Sequence, residues 1–304
     1  MKVRLRAKRT FAQTSVLLII ILLVGYLGVS ALVASILATP RRVASDTSPA
    51  RYGLAFSDVA FPARGGDVQL SAWYLPHAPL GRAVVLVHGK DASRQIWLNN
   101  GYAPLIVALQ QRGFAVLMLD LRGHGRSGDA HFSFGLNERR DVEGAVDWLQ
   151  ANGIAAGRIG VLGVSMGAAS STLAAAEEPA IGALVADSGY AAILPIIRQE
   201  WGSASHLPGF FLPSTLLMAR MMYGYDLGTA RPVDVIGTIA PRPVLIIHGT
   251  ADTLIPIANA DALQAADPAA ELWKVEGATH GQSITVAGAA YVQRVAAFFD
   301  MHVR

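Results

Sequence analysis

No charged residue occurs between Arg9 and Arg41, and inside that interval residues 16–37 are apolar apart from Gly25, Tyr26, Gly28, Ser30 and Ser35. As a helix this run rises about 33 Å, enough to cross a hydrocarbon core of about 30 Å. Lys2, Arg4, Arg6, Lys8 and Arg9 precede it, while only Arg41 and Arg42 follow closely. Excess positive charge is retained on the cytoplasmic side, so the expectation is a cytoplasmic tail over 1–15, an anchor over 16–37 and an exported remainder. The alternative is a cleaved signal peptide and a secreted product. The apolar run is longer than the usual 7–15 residues of such a signal, and Ile36-Leu37-Ala38 is a poor cleavage site.

The anchor also accounts for the charge balance. Seven of the 25 Lys and Arg residues lie in the first 42 positions, where there is no acid, which leaves 18 basic against 22 acidic residues beyond. The basic character thus belongs to the amino terminus, and a nucleic-acid-binding body is not expected. Absence of cysteine removes disulfides, thiolate metal sites and thiol nucleophiles. Residues 38–50 turn polar, with Pro40, Ser45, Asp46, Ser48 and Pro49, and read as a linker to one domain over 51–304.

In that domain short apolar runs alternate with helical patterns. Two extended stretches around Arg64-Gly65-Gly66-Asp67 predict an antiparallel hairpin. Runs at 83–87, 115–119, 159–164, 183–186, 244–247 and 272–275 suit strands covered on both faces. Helices are expected over 102–111, 137–150, 166–176, 257–266 and 283–299, the second carrying Val142, Ala145, Val146 and Leu149 at helical spacing with Glu138 and Asp141 in its first turn. The alternation predicts a mostly parallel α/β sheet with helices on both faces and chemistry at the carboxyl ends of the strands.

Four of those ends carry reactive groups. The run at 159–164 leads into Gly163-Val164-Ser165-Met166-Gly167. In a chain of 30 glycines this pentapeptide alone is only suggestive, but its place between a strand and a small-residue helix is what a strained, outward-pointing serine requires. Ser165 needs a base held by a carboxylate. His280, in the glycine-flanked loop after the last strand, is the candidate base; Asp252 is the candidate acid, with Asp187 as its rival. Main-chain N–H groups of Lys90, after the first parallel strand, and of Met166, after the serine, are the candidate oxyanion donors, with Gly163 and Gly167 shaping the turn. His88 and His248, each followed by glycine, read as turn residues.

On these residues, and on Asp120-Leu121-Arg122-Gly123-His124-Gly125-Arg126-Ser127-Gly128, the chain resembles the α/β-hydrolase superfamily over about 56–299, in particular its bacterial esterase, lipase and serine-aminopeptidase-like branches. The resemblance implies an α/β-hydrolase fold and a cap insertion over 188–240, whose Trp201, Phe210 and Phe211 would line an acyl pocket; ordinary packing on the sheet is the other reading. Glycines 123, 125 and 128 do not open a helix off a strand, so no dinucleotide is expected, and neither a metal nor another cofactor is implied. The expected activity is a serine hydrolase working on a lipophilic ester, thioester or amide through an acyl-enzyme. Aminopeptidase or acyltransferase activity remains an alternative, as does a catalytically silent envelope binding domain.

Overall fold

The computed structural model describes residues 2–43, 46–79 and 81–304, with side chains from Phe11 onward. The basic side chains of the tail, and Ala44 and Ser45 of the linker, lie outside the described residues. The chain forms two compact units: Thr39–Ile196 with Leu227–Arg304, and Met1–Ala38 with Ile197–Asp226.

The larger unit is an eight-stranded sheet. Its strands are β1 (Ser57–Pro62), β2 (Gln69–Leu75), β3 (Arg82–Val87), β4 (Phe114–Asp120), β5 (Ile159–Val164), β6 (Ile181–Asp187), β7 (Val244–Gly249) and β8 (Glu271–Val275), in the order β1-β2-β4-β3-β5-β6-β7-β8. The hairpin β1-β2 joins antiparallel to β4, and every pairing from β4 to β8 is parallel. Because side chains alternate along a strand, the continuous apolar runs feed two cores at once. Val85, Val87, Leu117 and Leu119 join one cluster with Val142, Val146 and Leu149. Val84, Leu86, Val116 and Met118 join the other with Leu105, Ile106, Tyr291 and Phe299.

The helices covering these faces are α2 (Ile96–Asn99), α3 (Ala103–Gln111), α4 (Glu138–Ala151), α5 (Met166–Glu177), α8 (Ala258–Ala266), α9 (Ser283–Ala287) and α10 (Ala289–His302). The single helix expected over 283–299 is two, because Gly288 takes φ 51° between them. Glu138 and Asp141 are fully buried. Glu138 accepts from the Ser133 and Gly135 amides and the Ser133 hydroxyl, and Asp141 from the Arg122 amide and guanidinium. They fasten loops as well as facing a helix amino terminus. The linker is fastened too: the Arg41 amide donates to Asp91, and the Arg42 guanidinium to Gly125, Ser127 and Asp129.

The smaller unit holds α1 (Lys2–Ala38), most of α6 (Ile193–Ser205) and α7 (Leu212–Tyr223). Only the 197–226 part of the 188–240 insertion therefore separates from the sheet, and α1 is its companion. Within α1, Phe11–Ala38 contains an 18-residue stretch of mean hydropathy 2.9 and is long and apolar enough to cross a membrane.

Candidate active site

The turn between β5 and α5 gives Ser165 its setting. Its φ of 58° and ψ of −122° are a strained backbone for a residue with a side chain. A Cβ on Gly163 would collide with the Gly167 carbonyl, and one on Gly167 with the carbonyls of Val87 and His88. Glycine at both positions is what lets strand, turn and helix close so tightly. The Ser165 amide is held by the Asp187 carbonyl at 2.9 Å, leaving the hydroxyl to point outward.

Two loops bring partners to that hydroxyl. His280 Nε2 lies 2.8 Å from Ser165 Oγ, and His280 Nδ1 lies 2.8 Å from Asp252 Oδ2. The loops are stitched together: the Thr250 amide donates to the Val275 carbonyl, the Ala251 amide to Ala278, and the Gly277 amide to the Thr250 hydroxyl. Gly249 approaches the Ala278 backbone so closely that a Cβ would strike it. Asp252 Oδ1 accepts the Leu254 and Ile255 amides, fixing the carboxylate's rotation. Burial pushes Asp252 up, but the neighbouring His248, the His280 ring and the Ile255 amide outweigh it and hold the carboxyl well below the usual range.

Asp187, the rival acid, is engaged elsewhere. Its carboxylate accepts the hydroxyls of Ser188, Ser283 and Tyr291 in a fully buried pocket, and burial raises it.

The two proposed oxyanion donors flank the serine in different ways. Met166 opens α5, where the first amides have no intrahelical acceptor. Gly89, one residue before Lys90, comes so near that its Cβ would stand 3.1 Å from Ser165 Cβ. Lys90 lines a cavity of about 150 Å³ together with Ser165, His280, Ile96, Trp97 and Tyr102. Its ammonium is turned aside to Asp91 at 2.6 Å.

Trp201, Phe210 and Phe211, expected to line an acyl pocket, are not among the described residues lining this cavity and belong to the smaller unit. Phe211 and Phe210 pack on Tyr26 of α1, with ring centroids 4.9 and 6.2 Å away, and the Trp201 indole donates to the Pro208 carbonyl. The long apolar helix offers these rings a partner, which the local sequence at 201–211 does not reveal.

Three histidines support the loops. His88 Nε2 accepts the Leu121 amide while Nδ1–H donates to the Gly89 carbonyl, tying the loop after β3 to the loop after β4. His124 Nε2 accepts the Asp91 amide while Nδ1–H donates to the Arg122 carbonyl. His248, read from sequence as a turn residue only, donates Nε2–H to the Ile255 carbonyl and stands 3.4 Å from Asp252 Oδ2. Burial lowers it, but Asp252 and that carbonyl outweigh burial and raise it. The i, i+4 spacing of His248 and Asp252 was the available signal.

A stability prediction arises here. Burial lowers both His88 and His124 to about 4, and both Nε2 lone pairs already receive an amide proton. Below pH 6.5 the unfolded chain takes up protons that the folded chain refuses, so stability falls with pH from about 6.5 to about 4. The ceiling is roughly 3 kcal/mol per histidine, at 1.4 kcal/mol per unit. Burial raises Asp141 to about 7, so its proton uptake in the folded chain offsets part of this loss; the urea midpoint of the detergent-solubilised chain should still drop over that window, and by less in His124→Gln. A midpoint level from pH 6.5 to 4.5 would contradict it.

Comparison with known proteins agrees with this architecture. Residues 84–295 match the family described as the alpha/beta hydrolase family. An esterase of Pyrococcus furiosus superposes with a TM-score of 0.71 at 26% identity, covering 88% of this chain and 98% of that one. The uncharacterised Bacillus subtilis protein YqkD is 31% identical over 193 residues, 62% of this chain and 63% of its own length. The chain thus spans just under two thirds of that relative. The uncharacterised YfhR of Salmonella typhi is 27% identical over 226 residues, 68% of each chain. With the family matched across most of the sheet and its helices, the chain belongs to the α/β-hydrolase family.

Proposed function

We propose that this hydrolase is a membrane-anchored serine carboxylesterase. The observation that carries the reading is the unbroken hydrogen-bonded chain Ser165 Oγ, His280, Asp252 at 2.8 Å per link, with the serine on a strained turn. His280 Nε2 takes the hydroxyl proton as Ser165 Oγ attacks the ester carbonyl, and Asp252 keeps the Nδ1 proton in place. The Lys90 and Met166 amides hold the oxyanion. His280 then protonates the departing alcohol, and water, deprotonated by the same ring, releases the acid from the acyl-enzyme and restores Ser165.

An ester is favoured over an amino-terminal peptide because the described cavity residues include no carboxylate to hold a free amine. A cavity of this size takes a group about as large as benzene, so the acyl chain should be short, up to about six carbons. The likeness to the Pyrococcus furiosus esterase supports the same class.

A fluorophosphonate should label Ser165 and no other serine. On p-nitrophenyl esters, kcat/KM should rise from acetate to about hexanoate and fall beyond it. Labelling elsewhere, or preference for an aminoacyl anilide, would overturn the reading. The anchor and its orientation rest on the apolar span of α1 and the basic tail. Protease added outside intact spheroplasts should digest the catalytic unit and spare the tail. Protection of that unit until lysis would reverse the orientation, and a soluble product lacking the first 38 residues would replace the anchor with a cleaved signal.

A further inference from the structure

The smaller unit has an apolar exterior beyond α1 itself. On one side of α1, Ser30, Ala34 and Ala38 recur every fourth residue and are buried, as are Ser214, Thr215 and Ala219 of α7. Such small residues let two helices approach closely without bulky side chains between them. The Ser30 and Ser214 hydroxyls meet at 2.8 Å, and the Tyr26 hydroxyl donates to the Phe210 carbonyl at 2.7 Å. Both pairs are 184 residues apart, so α7 runs parallel to the end of α1 and in step with it. Outward-facing on the pair are Leu32 and Ile36 of α1, and Phe210, Leu217, Met221 and Met222 on the other arm. Phe210 is 63% and Met221 70% exposed.

The register fixes where a bilayer would meet these side chains. Arg9 is the last charge before the span, and the hydrocarbon core takes about 20 residues, which places its far boundary near Ser30 if the core begins at Phe11. Beginning the core at residue 16, where the sequence pattern alone starts the anchor, would instead carry Tyr26 and Phe210 to mid-bilayer, away from the interfacial level where tyrosine gathers. With the boundary at Ser30, Tyr26 and Phe210 lie about 6 Å inside it, at the level where aromatic residues gather. Leu217, in step with residue 33, stands just outside, and Met221, in step with residue 37, reaches the headgroup edge.

Resting on the anchored reading above, we propose that Phe210, Phe211 and the outer face of α7 form a second, monotopic membrane contact, seated in the leaflet from which α1 emerges. The occupant is lipid, because this apolar surface is continuous with that of the spanning helix. The last two turns of α1 stand above the hydrocarbon, flanked by α7.

The chain has no cysteine, so single labels report cleanly. Nitroxides at Ile20→Cys, Phe210→Cys, Leu217→Cys, Met221→Cys and Ala151→Cys are read in the full chain in phosphatidylcholine–phosphatidylglycerol vesicles, by collision with oxygen and with a water-soluble nickel chelate. Expected depths are greatest at Ile20, then Phe210, Leu217 and Met221, with about 16 Å between Phe210 and Met221 at 1.5 Å per residue. Ala151 should be in water. If Ile20 is lipid-exposed while Phe210, Leu217 and Met221 all match Ala151, the second contact is overturned and the anchor stands. If Ile20 also matches Ala151, the anchor itself fails. Leu217 and Met221 are exposed positions, so their depth difference tests the proposal even if Phe210→Cys misfolds.

Discussion

Ser165→Ala should lower kcat/KM for a short acyl ester by about 10⁵- to 10⁶-fold, some 7–8 kcal/mol of transition-state stabilisation, while leaving thermal unfolding within a degree or two. The size follows from mechanism. Without Oγ there is no acyl-enzyme, and His280 loses the group whose proton it carries; a water attacking in its place has neither the strained presentation nor the 2.8 Å contact. Residual turnover of about 10³-fold over solution would remain from the amides and binding alone. The small stability change follows because the turn is held by the Ser165 main chain, through the Asp187 carbonyl, while the hydroxyl bonds the partly exposed His280 ring, which water can satisfy. Retention of more than a few per cent of activity, with a fluorophosphonate now labelling another serine, would remove Ser165 from the chemistry.

Sequence disclosed the fold more fully than the supports of the site. The strands stood out because a doubly covered parallel sheet needs continuous apolar runs, and the runs at 83–87 and 159–164 lie within β3 and β5. The sharp turn at Ser165 was legible because only glycine fits at 163 and 167. Local pattern could not reveal contacts set by distant chain. Nothing near Glu138 indicates that it collects three donors from residues 133–135, and nothing near Phe210 indicates Tyr26, 184 residues away. Apolar spacing carries the helix expected over 283–299 straight through Gly288, whereas the break depends on a positive φ. For the acid, strand-end placement offers both Asp187, which closes β6, and Asp252, which follows β7. What separates them is which loop lies beside His280, and that is fixed by the close approach of Gly249 to Ala278.

That distinction makes opposite predictions for two isosteric substitutions. In Asp252→Asn the new side chain can turn its NH₂ toward His280 Nδ1 while its oxygen keeps the Leu254 and Ile255 amides. Nδ1 then accepts, Nε2 carries the proton, and the ring cannot take one from Ser165. A loss of about 10⁴-fold in kcat/KM is expected, with little change in KM. The wild-type carboxylate is already ionised far below neutrality, so it contributes no titration to the pH–rate profile between 5 and 9. Asp187→Asn works differently. An amide replaces a carboxylate that accepts three hydroxyls, so at least one hydroxyl meets an NH₂ and is mismatched unless it gives up its donated bond and turns to accept, in a fully buried pocket. Such mismatches cost about 1–3 kcal/mol, so stability should fall while kcat/KM per folded molecule stays within a few-fold. The comparison needs both urea unfolding and active-site titration, so that lost fold is not counted as lost chemistry. A crippled but stable Asp187→Asn beside an active Asp252→Asn would move the acid to Asp187, and would require His280 to turn away from the carboxylate it now touches at 2.8 Å.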